Sequence, residues 1–148
     1  MSHSIEIIWD LGDQELSAGK YLTDHKVILN ENITIDGGSS PDYGGSVSNI
    51  NPEQKLAAAV SSCFMMTFLA LAAKMKWPVK NYKDKAISHL GKNNEGRMYV
   101  NKIELNPQII FDNDFTISDD EMHKMKERSH KYCFIANSLS KDVEIKIN

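Results

Sequence analysis

The chain has 148 residues, of which 41% are hydrophobic and 25% charged, the balance of one folded domain rather than of a disordered segment. Its 17 Lys and Arg against 20 Asp and Glu give a net charge of −3, and its two arginines, Arg97 and Arg128, lie outside any basic run, which argues against nucleic acid as a partner. Two cysteines, Cys63 and Cys133, are too few and too widely spaced for a disulfide framework or a zinc knuckle.

The first ten residues, MSHSIEIIWD, have neither a basic n-region nor an apolar stretch of signal length. A cytoplasmic location with reduced thiols is the resulting expectation. Residues 3–9 and 26–35 are rich in β-branched side chains punctuated by polar ones and predict short strands, with a turn region, DLGDQELSAG, between them. Residues 36–51 are Gly/Ser/Asp-rich and aperiodic, a loop long enough to cover a site or an interface.

Helix signals begin at Asn51 as cap, Pro52 at the first helical position and Glu53 in the first turn. The apolar segment Leu56–Ala73 follows, and Lys76-Trp77-Pro78 ends it. It is long enough to raise the question of a membrane span. Its Ala-rich composition, and the lack of a second such segment, predict instead a central helix buried on all sides.

Residues 82–90 and 98–111 predict a hairpin about the turn cluster GKNNEGR. Residues 118–132 predict a second helix opened by a Ser118/Glu121 capping box. After Cys133 come FIANSLS and a closing strand, VEIKI. Strands, long helix, hairpin, helix and strand in that order make an α+β chain, with no linker dividing residues 1–148 into domains.

On residue type alone the two cysteines read either as buried structural thiols or as a nucleophile and a resolving partner. The run NPEQKLAAAVSSCFMMTFLALAAK (residues 51–74) and the later SHKYCFIANSL (residues 129–139), in this order and spacing, resemble the two motifs of the OsmC/Ohr family. YKDKAISHLGKNNEG (residues 82–96) looks like that family's hairpin, so the likeness covers roughly residues 21–147.

The resemblance implies an OsmC-like fold: antiparallel sheets around a long central helix, in an intertwined homodimer. It implies a thiol-dependent peroxidase acting on organic hydroperoxides, with Cys63 matching the peroxidatic cysteine, Cys133 the resolving cysteine and Glu53 the acidic partner. It implies no bound cofactor or metal, and recycling by a dithiol reductant, lipoyl in type in the best-understood branch. An OsmC-like redox sensor or small-molecule or lipid binder is the alternative.

Two physical points bear on this expectation. Cys63 lies too deep in its helix to draw on the dipole at the N-terminus. Ten residues of helix, roughly 15 Å, separate it from Glu53, so a dimer with antiparallel central helices is the simplest way to bring a Glu53 to a Cys63. Peroxidase members also carry an arginine in the N-terminal strands, whereas here no arginine precedes Arg97. KYLTDHKVIL offers Lys20, His25 and Lys26 instead, with Thr23 or Asp24 at the arginine's position. His25 and Lys26, with His130 beside Cys133, are therefore the candidates for tuning a thiolate.

Overall fold

The computed structural model describes residues 1–112 and 114–148. They form two compact units, Met1–Lys55 and Leu56–Asn148.

The first unit is built on a three-stranded antiparallel sheet of β1 (Glu6–Ile8), β2 (His25–Asn30) and β3 (Ile33–Gly37), in the order β1-β2-β3. The sequence pattern at 26–35 marks one extended stretch, but the structure divides it into a hairpin. The Asn30 side chain accepts a hydrogen bond from the Asn32 amide at 2.9 Å and closes the turn. Register puts Ile7, Val27 and Ile35 in one apolar cross-strand row and sets Lys26 opposite Asp36 on the other face, beside Ile8.

The Gly/Ser loop is shorter than expected at both ends. β3 extends to Gly37, which forms a bridge with Ile50, and Pro41–Tyr43 is a 3-10 turn. Gly45 lies so close to the Ser39 carbonyl that a Cβ there would overlap it, and its amide donates to the Ser40 carbonyl at 3.0 Å.

Helix α1 (Pro52–Lys74) starts as anticipated, with a fuller cap than one residue. Asn51 Oδ1 accepts from the Gln54 amide at 2.8 Å and Gln54 Oε1 accepts from the Asn51 amide at 3.0 Å, a reciprocal capping box. Its C-terminus does not wait for Pro78. Lys76 takes a left-handed φ of 58°, the Trp77 amide donates to Ala72 O and the Lys76 amide to Ala73 O, the two bonds of a Schellman stop.

In the second unit, β4 (Val79–Lys83) pairs antiparallel with β7 (Gln108–Phe111), while β5 (Ile87–Lys92), β6 (Met98–Leu105) and β8 (Glu144–Ile147) form the sheet β5-β6-β8. The predicted hairpin is β5–β6, turning through Asn93, whose side chain accepts from the Glu95 and Arg97 amides. The expected single strand over 98–111 is broken at Asn106-Pro107, where proline has no amide to give a ladder. β8 pairs with β6 in parallel, the one departure from the expected antiparallel sheets.

α2 (Asp119–Lys131) opens with the anticipated capping box and is followed by a single turn, α3 (Phe134–Asn137). The core of this unit gathers Ala57, Val60, Phe64, Phe68 and Ala72 of α1, Ile103 and Leu105 of β6 and Met125 of α2.

Among the described residues α1 alone is long and apolar enough to cross a membrane by length and composition. Its predicted burial on all sides is not what the structure has. One face lies in the core, while Ala58, Ser62, Met66, Ala70 and Ala73, spaced three or four apart, form an exposed stripe along the other. The two sheets and α2 supply enough apolar surface to cover only one side of a cylinder this long.

Candidate active site

Cys63 sits at the middle of α1, one residue before Phe64 on the core-facing side, and is almost covered at 9% exposure. Cys133 is fully buried. It follows α2 in extended conformation, with φ −73° and ψ 111°, and serves as N-cap of α3. Its amide donates to the His130 carbonyl at 3.1 Å, and its Sγ accepts from the Ala136 amide at 3.5 Å. Cys63 is a neighbour of Cys133 in the fold, so two thiols far apart in sequence come together. Both are free thiols here.

Burial pushes the Cys133 thiol up to about 11, opposed by the Ala136 and Ile135 amides and reinforced by the neighbouring Cys63. At neutral pH Cys133 is therefore a protonated thiol beside Cys63. A protonated thiol is a hydrogen-bond donor, and a thiolate is the nucleophilic form of cysteine.

The helix that carries Cys63 is anchored from its other side. Ser61 Oγ donates to Asp84 Oδ2, and Asp84 Oδ1 accepts from the Asn106 amide at 2.6 Å, which ties α1 to both ends of the β5–β6 segment. Phe64 and Phe68 of α1 stack tilted at 6.5 Å, and Phe68 packs on Tyr82 at 6.1 Å. Burial and the nearby Asp84 raise the Tyr82 phenol well above its usual range.

The other sequence candidates are placed as follows. His130 is half-buried in the last turn of α2 and meets Cys133 through its backbone carbonyl. In the first unit, His25 opens β2, its Nδ1 2.8 Å from the Thr23 carbonyl and its Nε2 3.3 Å from Lys55 Nζ. The first contact requires Nδ1 to carry the proton, which leaves Nε2 to accept from the lysine. Gly37 is the cross-strand partner of His25, and a Cβ at that position would overlap the imidazole and the Lys55 ammonium.

Lys26 points to the opposite face of β2, is largely exposed and is paired with Asp36, so its charge already has a partner on the surface. Lys20 is likewise paired at the surface, with Glu15 at 3.2 Å. Thr23 donates to Ser39 Oγ at 2.8 Å. Glu53 is half-buried in the first turn of α1, and its Oε2 is covered with no hydrogen-bond partner among the described residues.

Two participants carried no usable signal in the sequence. Lys55 reads as an ordinary helix residue until the bridge and turn of the loop fold it against His25. The Ala136 amide becomes a donor only because a cysteine, outside the usual Ser/Thr/Asp/Asn set of caps, occupies the N-cap of a four-residue helix. Among the described residues no group of three His, Cys, Asp or Glu side chains is arranged to hold a metal ion.

Comparison with known proteins agrees with this architecture. Residues 44–148 match the sequence profile of the OsmC-like protein family. An OsmC-like protein of unknown function from Vibrio cholerae superposes with a TM-score of 0.90 at 33% identity, covering 100% of this chain and 99% of its own. An organic hydroperoxide resistance protein from Elizabethkingia anophelis, crystallised with thiocyanate, has a TM-score of 0.73 at 19% identity over 99% of this chain and 95% of its own. The organic hydroperoxide resistance protein OhrB of Bacillus subtilis has a TM-score of 0.70 at 13% identity over 100% of this chain and 97% of its own. These last two share the fold. No curated protein gives a significant match. The family profile spanning both cysteines, and the close likeness to the Vibrio protein over its full length, show that this chain belongs to the OsmC-like family.

Proposed function

We propose that this protein reduces organic hydroperoxides through its thiol pair. The observation that carries the reading is that Cys63 and Cys133, distant in sequence, are buried neighbours in the fold, with the second thiol fully covered and held protonated. Hydroperoxide resistance proteins with the same fold support it.

The Cys63 thiolate attacks the distal oxygen of the hydroperoxide. The O–O bond breaks, the alkoxide leaves and takes a proton to become the alcohol, and Cys63 becomes a sulfenic acid. The Cys133 sulfur then displaces the hydroxyl. Its proton leaves with that oxygen as water, and a Cys63–Cys133 disulfide remains. A dithiol of lipoyl type restores both thiols by two exchanges and ends as a cyclic disulfide. The chain needs no bound cofactor for any of these steps, and they suit a reducing, cytoplasmic compartment.

The assembly we propose is a homodimer. The exposed stripe of α1 is uncharged and built mostly of small residues, and a copy of itself across a two-fold axis is its simplest complement. Antiparallel pairing of the two α1 helices also supplies a Glu53 carboxylate across the interface, over a distance one helix does not fold back to cover.

One observation favours a second reading, a redox sensor or small-molecule binder on the same fold: no arginine precedes Arg97, and Lys20 and Lys26 have surface partners. Rate separates the two readings. Reduced protein is mixed with a slight excess of cumene hydroperoxide or hydrogen peroxide, alkylated and weighed intact. A peroxidase loses two hydrogens per chain, faster with the organic peroxide, and Cys63→Ser abolishes the loss. Reaction no faster than that of a free thiol overturns the peroxidase reading and leaves the sensor or binder.

A further inference from the structure

Apolar contacts have no direction, so a hydrophobic core covers a helix without fixing its rotation. The buried row of α1 has small residues, Ala57 and Ala72, towards its two ends, which give neighbouring side chains little to lock against. A turn of about 10° about the axis moves a side-chain tip, roughly 5–6 Å out, by about 1 Å. A disulfide accepts Cβ separations of only about 3.5–4.5 Å. A cysteine in the middle of such a helix therefore has to be set by something directional.

A line of hydrogen bonds meets that need. Ser61, two residues before Cys63 on α1, donates through Oγ to Asp84 Oδ2. Asp84 Oδ1 accepts from the Asn106 amide at 2.6 Å. Asn106 is held in turn, its Nδ2 donating to the Lys85 carbonyl at 2.9 Å and its Oδ1 accepting from Asn148 Nδ2 at 2.8 Å. The Asn148 amide donates to the Leu105 carbonyl at 3.0 Å, and the Asn148 carbonyl accepts from Lys126 Nζ at 2.7 Å. Lys126 lies on α2, whose end leads into Cys133. Among the described residues of Leu56–Asn148, Ser61 and Lys126 are the side chains whose oxygen or nitrogen ties α1 and α2 to another element. Thr67 and Ser129 bond within their own helices.

We propose that Asp84 is a positioning residue for the thiol pair: its carboxylate joins the helix that carries Cys63 to the helix that leads into Cys133, and so sets the gap that the two sulfurs have to close. A carboxylate accepts through two oxygens, so one takes the donor on α1 and the other the backbone donor at the β6–β7 break. A rotation of α1 that lifts Ser61 off Asp84 also swings Cys63, while Lys126 holds α2 where it is.

The inference rests on the reading that Cys63 and Cys133 close a disulfide, and its test uses no peroxide. Reduced protein is equilibrated in glutathione buffers, and the disulfide fraction is read by alkylation and intact mass. Oxidised glutathione takes two electrons and two protons from the thiol pair and leaves as two reduced molecules. Asp84→Ala is expected to lower the equilibrium constant for closure about tenfold, the scale of one hydrogen bond to a charged group. That corresponds to a potential about 30 mV less negative than wild type. Ser61→Ala and Lys126→Met cut the line at either end and are expected to shift it in the same direction. Asp84→Asn can accept the Asn106 amide through Oδ1 and donate to Ser61 Oγ through Nδ2, so it is expected to keep the wild-type value.

A tie that only holds the fold together lowers the urea midpoint of reduced and oxidised protein alike and leaves the potential in place. An unchanged or more negative potential in Ser61→Ala and Lys126→Met overturns the proposal, whether or not Asp84→Ala folds. An asparagine variant that shifts as far as alanine, or a wild type that forms no disulfide, overturns it too. A wild type that closes in glutathione but meets cumene hydroperoxide no faster than a free thiol overturns the peroxidase reading and leaves the tie standing.

Discussion

Cys133 has no exposed surface and Cys63 retains 9%, a difference that fits the proposed division of work between two chemically identical side chains. The thiol that meets an oxidant has to be reached from solvent, whereas the resolving thiol has only to reach its partner. Burial also makes Cys133 a probe of stability. Burial pushes its thiol up to about 11, above the ordinary thiol range, so the unfolded chain gives up this proton first as pH rises. The contribution is complete below about 9 and lost as pH climbs to about 11. The urea midpoint of the reduced protein is expected to fall across that interval, and less steeply in Cys133→Ser, which has no proton to lose there. Parallel slopes would show that the sulfur is not desolvated in solution.

At the scale of elements, the helix starts were legible because capping is a local hydrogen-bond pattern. Ser118 with Glu121 was readable as a box, and Glu121 Oε2 accepts from the Ser118 amide at 3.1 Å and from its hydroxyl at 2.8 Å. These bonds hold the Glu121 carboxyl below its usual range. The box is therefore present above the ordinary carboxylate range and lost as pH falls through the lowered value. Replacement of Ser118 by alanine is expected to cost about 1 kcal/mol in urea unfolding at pH 7. That penalty should shrink in acid, and one that stays constant would mean that the carboxylate plays no part.

Strand boundaries were less legible for the opposite reason. The β-branched residues of 26–35 lie on both sides of Asn30-Glu31-Asn32, and the return pairing of β3 on β2 makes those residues a turn. The end of α1 shows the same limit. Pro78 was a correct sign that the helix stops, but the stop is the left-handed Lys76, a conformation its side chain does not announce.

At the scale of the molecule, the central question is what covers the outer stripe of α1. Met66 is 58% exposed at its middle, with Ser62 on one side along the stripe and Ala70 on the other. If a second copy packs there, Met66→Glu places a charge within the covered stripe. Sedimentation equilibrium is expected to give twice the chain mass for wild type and a single chain for Met66→Glu. A monomeric wild type would remove the homodimer, and with it the reason to assign Glu53 to the site.

The sequence by itself determined what is local or carried by short motifs. These are the α+β order of elements, the caps of α1 and α2, the hairpin about Asn93, and two cysteines in motif contexts that resemble one family. Tertiary structure alone decided which groups meet. It joined Cys63 to Cys133, brought Lys55 to His25, paired Lys26 with Asp36, and laid β8 parallel to β6. The reason is the reach of the forces. Caps and turns are fixed by hydrogen bonds within a few residues, whereas contacts between distant side chains follow from how apolar faces are covered, and on α1 that cover reaches only one side.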